Sequence, residues 1–316
     1  MIESDMPRLD VTGAVDVTDP DAVCAAVTGI FRRRYHRADT APVARLFSDF
    51  GRLYRGEYPG YFACDTQYHN IQHVLDVTLA AARLIDGFDA EQPRAQRLGP
   101  QLAIVGVAVA LFHDAGYIRR RGDSRHRHGA EYTRVHVGRS ARFLKHYLPA
   151  IGMGWAAALA AKLVHFTGYE YDPGAIALAG ARERALGALI GSADVIAQMA
   201  DRAYLEKCRD YLFGEFELGG LTHERDARGA LRVRYASPAD LLRQTPEFIR
   251  RTVSERLEVS FGGIYRCVEA HFGGANPYME ALERNRSHLE WLLAQGDDSL
   301  LQRDALRPRA RAGGMA

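Results

Sequence analysis

From Asp19 onward, apolar residues recur every three or four positions, the period of helices that bury one face. Val23, Val27, Ile30 and Phe31 form the first stripe, with Asp19 or Asp21 placed to cap it and Pro20 suited to its first turn. A second helix is predicted from Pro42 to Tyr54. Beyond the turn residues Gly56, Pro59 and Gly60, the segment YHNIQHVLDVTLAAARLI keeps Ile71, Val74, Leu75, Thr78, Leu79 and Ala82 on one side of a third. The run LAIVGVAVALFHD is apolar all round, as a core helix must be. Helical pattern resumes over 130–147, 155–164, 182–201 and on toward Phe213, 238–244, 245–272 and 277–294. Only LRVRY (231–235) alternates, which predicts a short β-hairpin near 219–235. The fold class is therefore all-α, one compact helical domain over residues 19–302. Residues 1–18 show no period and read as a flexible arm, and residues 303–316 read as a disordered tail.

Composition narrows the function classes. A hydrophobic content of 47% in 316 residues supplies a sizeable core, and 41 basic against 39 acidic residues leave a net charge of +2. That balance points away from a nucleic acid or a membrane as main partner, so anion binding must be local. Cys24, Cys64, Cys208 and Cys267 form no CxxC pair, which argues against a zinc ribbon or a disulfide framework and suits a reducing cytoplasm. The acidic amino terminus has no signal-peptide character. The apolar run Leu102 to Phe112 is shorter than the roughly 20 residues that span a bilayer.

Three features carry candidate chemistry. His69 and His73 stand four apart on the third predicted helix, so both fall on one face, as a metal-binding pair or simply as a polar face. His113 and Asp114 end the apolar run, where an unpaired imidazole and carboxylate are costly to bury. A bound cation satisfies both, and so does a role as helix cap. Asp194 adds a carboxylate within the apolar LIGSADVIAQM, serving either a metal or a structural hydrogen bond. Together these residues can supply the ligands of one metal centre.

At this point the chain resembles the HD-domain phosphohydrolases, and within them the cyclic nucleotide phosphodiesterases. YHNIQHVLDV (68–77) is similar to that family's YHNxxHxxDV, FHDAGY (112–117) to its HDxGY element, and SADV (192–195) to its ADI/ADL segment. The likeness covers roughly residues 60 to 215. It implies that His73, His113, Asp114 and Asp194 ligate a first divalent metal ion (Zn, Fe, Mn or Mg), with Asp114 bridging to a second where there are two. It also implies that His69 is the general acid for the departing ester oxygen and that the attacking water is activated by metal. EYTRVHVG (131–138) resembles the family's ENHHLAVG-like segment, which suggests that Glu131 orients a water or ligand from behind the metals. Thr133 and Arg134 replace the family's paired histidines there.

The resemblance implies a small phosphorylated substrate, a cyclic nucleotide or a nucleotide monoester, and leaves room for a homodimer. Gln198 and Gln244 are candidates to recognise a base by residue type alone. The basic run Arg119 to His128 either overhangs the pocket to pair with phosphate or is a solvated loop. His165 reads as a core histidine or an extra ligand, and ADRAYLEK, with Asp201, as a segment turning at the surface. Two rival functions use the same residues: a di-iron oxygenase of the same fold, favoured by additional histidine ligands, and a non-catalytic nucleotide-binding sensor.

Overall fold

The computed structural model describes residues 9–226 and 228–296. The described chain is mainly helical: α1 (Pro20–Arg34), α2 (Ala41–Tyr54), α3 (Ile71–Glu91), α4 (Gly99–Phe112), α5 (His136–Ala150), α6 (Gly154–Leu163) and α7 (Ala181–Ala200) precede the short α8 (Tyr204–Lys207) and α9 (Phe213–Leu218). The hairpin β1 (His223–Arg225) and β2 (Leu231–Val233) follows, and α10 (Pro238–Arg251), α11 (Val268–Phe272) and α12 (Pro277–Gln295) complete it. The two strands pair antiparallel, His223 opposite Val233, within the predicted hairpin window. The all-α class and the hairpin thus agree with the sequence pattern.

Helix α3 is the axis of the fold, packed against α1, α4, α7 and α11. Ala80, Ala81 and Ala82 are buried along it, and at Gly87 the backbone of α11's approach is so close that a Cβ would lie 1.8 Å from the Cys267 carbonyl oxygen. Ala103 through Phe112 of α4 are all buried. Counted through the turn that follows it, Gly99–Tyr117 is the one described segment long and apolar enough to cross a membrane, longer than the sequence run suggested. Its most apolar window is 78% buried inside the protein, which makes it a core helix.

Four sequence expectations change. Residues 9–18 are no loose arm: Asp10 accepts the amides of Thr12, Ala14 and Val15, pairs with Arg83 of α3 at 2.6 Å, and brings Val17 into the core. Residues 1–8 and the tail at 303–316 lie outside the described residues. The helix expected over 130–147 is broken: a 3-10 turn at Gly129–Tyr132 precedes α5, which starts only at His136. The long helix expected over 245–272 stops at Ser260, where Gly262 and Gly263 take positive φ. Finally, ADRAYLEK keeps only Arg202 exposed: Glu206 and Lys207 are 1% and 6% exposed, and Lys207 pairs with half-buried Asp201 and donates to Gln72 at 2.9 Å.

Candidate metal centre and its cavity

Asn70 caps α3 by accepting the His73 amide at 3.1 Å, so α3 begins at Ile71 and His73 lies in its first turn. Tyr68 and His69 precede the helix. The expectation that His69 and His73 share a helix face is therefore incorrect, although the two rings lie 5.7 Å apart. A loop, tied through the Thr66 hydroxyl to the His69 carbonyl at 2.7 Å, brings His69 to the place helix periodicity had assigned it.

His113 ends α4, and its Nδ1 donates to the Ala110 carbonyl at 2.8 Å, which in the neutral ring leaves Nε2 as the coordinating nitrogen. That Nε2 lies 3.3 Å from His73 Nε2 and 3.2 Å from Asp114 Oδ2. The coordinating atoms of His73, His113 and Asp114 all lie within 4.8 Å of one another, all three residues are buried, and the group can hold a metal ion. Asp194 of α7 turns Oδ1 to the same point, 3.5 Å from His73 Nε2 and 3.7 Å from His113 Nε2. It is less buried than its sequence context suggested, with 13% of its side chain exposed.

Buried Asp114 Oδ2 accepts no well-formed hydrogen bond, its neighbours being the Nε2 atoms of His113 at 3.2 Å and His73 at 3.4 Å. A carboxylate oxygen left so is costly, and a cation between it and two imidazoles removes the cost. The electrostatics agree. Burial alone lowers His113, but Asp114 and Asp194 outweigh it and push the imidazole up to about 9. Burial also works against the Asp114 anion, yet His113 and the neighbouring imidazoles hold it well below the usual carboxylate range. Burial keeps His73 below its ordinary value. The cluster attracts positive charge, and a divalent ion competes with a proton for it.

Two residues that the sequence did not single out complete the surroundings. Glu215 of α9 is buried, accepts the Tyr68 amide at 2.6 Å through Oε1, and takes His69 Nδ1 at 2.6 Å through Oε2. Burial disfavours the His69 cation, but Glu215 outweighs it and raises the imidazole above its ordinary value. His136, at the start of α5, bonds Nδ1 to the Thr133 carbonyl at 2.6 Å and directs Nε2 to 3.6 Å from Asp114 Oδ1. It lies three residues beyond Thr133, in the segment compared above. No sequence feature marks Glu215, which reaches His69 across 146 residues.

The centre lies in a cavity of about 530 Å³. Its wall is aromatic and aliphatic, with Tyr204, Phe216, Tyr235, Leu241 and Phe248, and its two arginines are Arg134 and Arg234. Gln198 and Gln244 line it as well. Gln198 is committed near the metal group, accepting from Tyr68 Oη at 3.1 Å and donating to the Asp194 carbonyl at 3.1 Å. Glu131 does not reach this cavity: Oε1 accepts the amides of Arg127 and His128 at 2.7 and 2.8 Å and closes a capping box at the turn before α5. None of the residues Arg119 to His128 lines it, and His165 is half-buried outside it, 3.2 Å from Glu170. No protein-family model, no curated protein and no solved structure matches the chain.

Proposed function

We propose that this protein is a metal-dependent phosphohydrolase that cleaves a nucleotide phosphoester, of the HD type its motifs resemble. The observation that carries the reading is the convergence of His73, His113, Asp114 and Asp194 on one point, with Asp114 Oδ2 buried there without a well-formed hydrogen bond. These four would hold one divalent ion or share two. A bound divalent ion supplies a water acidic enough to attack phosphorus near neutral pH and offsets the charge of the phosphate.

The chain's own groups do the remaining work. His69, its protonated form favoured and its ring oriented by Glu215 at Nδ1, gives the Nε2 proton to the ester oxygen as its bond to phosphorus breaks. Arg134 and Arg234 at the cavity wall pair with phosphate oxygens. Phe216 and Tyr235, stacked on each other at 5.6 Å, give the cavity an aromatic wall beside which a planar base can lie. Glu131 has no part in this scheme.

The test is metal analysis of the purified protein together with hydrolysis of bis-aryl phosphate, aryl phosphate, cyclic nucleotides and nucleoside monophosphates. Turnover of at least one by the metal-loaded protein, lost in Asp114→Ala, supports the reading. A metal-loaded protein that cleaves none of them overturns it. One observation favours a second reading, a di-iron oxygenase: His136 brings a further histidine to Asp114. Tightly held iron with oxygen consumption, and no phosphate release, decides for it.

A further inference from the structure

The arginines that follow the His-Asp pair build a site of their own. A cleft of about 640 Å³ opens on the far side of the Ala115–Ile118 turn and shares no lining residue with the metal cavity. Arg120, Arg125, Arg139, Arg142 and His146 line it. None of the four arginines forms an ion pair with a carboxylate among the described residues, whereas the neighbouring Arg119 pairs with Asp65 at 2.9 Å.

The one carboxylate in the lining, Asp123, is already committed. It binds the Tyr132 hydroxyl, accepts the Arg125 amide at 2.9 Å and takes His126 Nδ1 at 3.3 Å. Arg139 is fixed in place: Nε donates to the Gly116 carbonyl at 2.6 Å, NH2 to the Ile118 carbonyl at 3.1 Å, and the guanidinium lies over the Tyr132 ring at 3.5 Å. Burial disfavours its charge, Tyr132 and Asp123 offset this in part, and Arg142 and Arg120 nearby add to it. Four guanidinium groups and a single carboxylate leave the concavity with excess positive charge, and an anion between like charges relieves both repulsion and desolvation. Tyr61 and Phe143, at 5.8 Å and nearly perpendicular, supply an aromatic wall.

We propose that this cleft is a second binding site for a compact polyanion, one with two or more linked phosphate groups such as pyrophosphate or a nucleoside diphosphate. Arg120, Arg125 and Arg142, beside the already committed Arg139, offer more donors than a single phosphate can engage, and the volume lies within the roughly 300–1,000 Å³ typical of small-molecule sites. The site does not depend on the hydrolase reading.

The experiment is calorimetric titration of the full-length protein with inorganic phosphate, pyrophosphate, ADP and a short single-stranded oligonucleotide. It is repeated with Arg125→Glu/Arg142→Glu, two exposed positions, and with Asp114→Ala. Pyrophosphate or ADP should bind at least about tenfold more tightly than phosphate and weaken at least about tenfold in the double reversal, with binding retained in Asp114→Ala. If the reversal lowers the melting temperature, Arg125→Gln/Arg142→Gln takes its place with the same expectation. Pyrophosphate binding that survives the reversal but is lost in Asp114→Ala assigns the anion to the metal cavity and overturns the proposal. So does binding of the oligonucleotide without binding of pyrophosphate, and so does no binding at all.

Discussion

His69 and Glu215 meet at 2.6 Å, Nδ1 to Oε2, with Glu215 buried and its other oxygen held by the Tyr68 amide at 2.6 Å. A carboxylate so placed fixes which nitrogen of His69 is free and raises the imidazole above its ordinary value against the effect of burial.

The pair therefore sets a pH dependence. A raised imidazole stays in its acid form up to its folded value, so the proposed activity is present below it and falls as pH rises through it. Glu215→Gln removes the charge and should move that alkaline limb to lower pH, while His69→Ala should retain metal and lose roughly 10²-fold or more in kcat. A limb that stays in place in Glu215→Gln would show that the carboxylate does not govern the acid. The same pair's contribution to stability is full below the ordinary histidine value and is lost as pH rises through the raised one.

Metal retention should follow the buried trio. Asp114→Ala removes the carboxylate nearest to both His73 and His113, at 3.4 and 3.2 Å against 3.5 and 3.7 Å for Asp194, and should empty the site as measured by elemental analysis. The same protein should lose the rise in melting temperature that added metal gives the wild type. Full occupancy in Asp114→Ala would refute the ligand assignment.

Asp76, on α3, gives a separate pH signature. Burial raises it to about 8, helped by Asp201 and opposed by Lys207 and Arg83, and its Oδ1 has no donor. Between the unfolded carboxyl value of about 4 and that raised value, the folded protein holds a proton the unfolded chain lacks, so stability falls as pH rises. The slope is at most about 1.4 kcal/mol per pH unit, and Asp76→Asn should remove it. Urea midpoints of wild type and variant that stay parallel across the window would contradict the assignment.

The close approach at Gly87 should be unforgiving. Alanine there meets the Cys267 carbonyl, and Gly87→Ala should cost roughly 1–3 kcal/mol by forcing α3 and the segment before α11 apart. Gly138→Ala on α5, where a Cβ meets nothing within 4 Å, should be neutral or stabilising by up to about 1 kcal/mol. Denaturant midpoints of the two variants that do not differ would count against the packing.

The sequence by itself determined the helical class, the hairpin, the core character of α4 and the need of His113 and Asp114 for a partner, because each rests on local information; that His73 is a partner was implied only by the motif resemblance, and the fold brings it there across 40 residues. Apolar period reports burial, and an imidazole and a carboxylate at the end of a buried run demand a partner. Asn70, three residues before His73, is also a local signal: as a helix cap it places His69 outside α3. Only the tertiary structure decided the rest. Glu215 becomes His69's partner because α9 comes to rest beside the loop before α3, a contact spanning 146 residues that no period encodes. Glu131 is spent on a turn, and Arg120 and Arg125 line a cleft beyond the Ala115–Tyr117 turn rather than the metal cavity. Residue type and spacing say which groups need a partner; the packing of distant helices decides which partner each one finds.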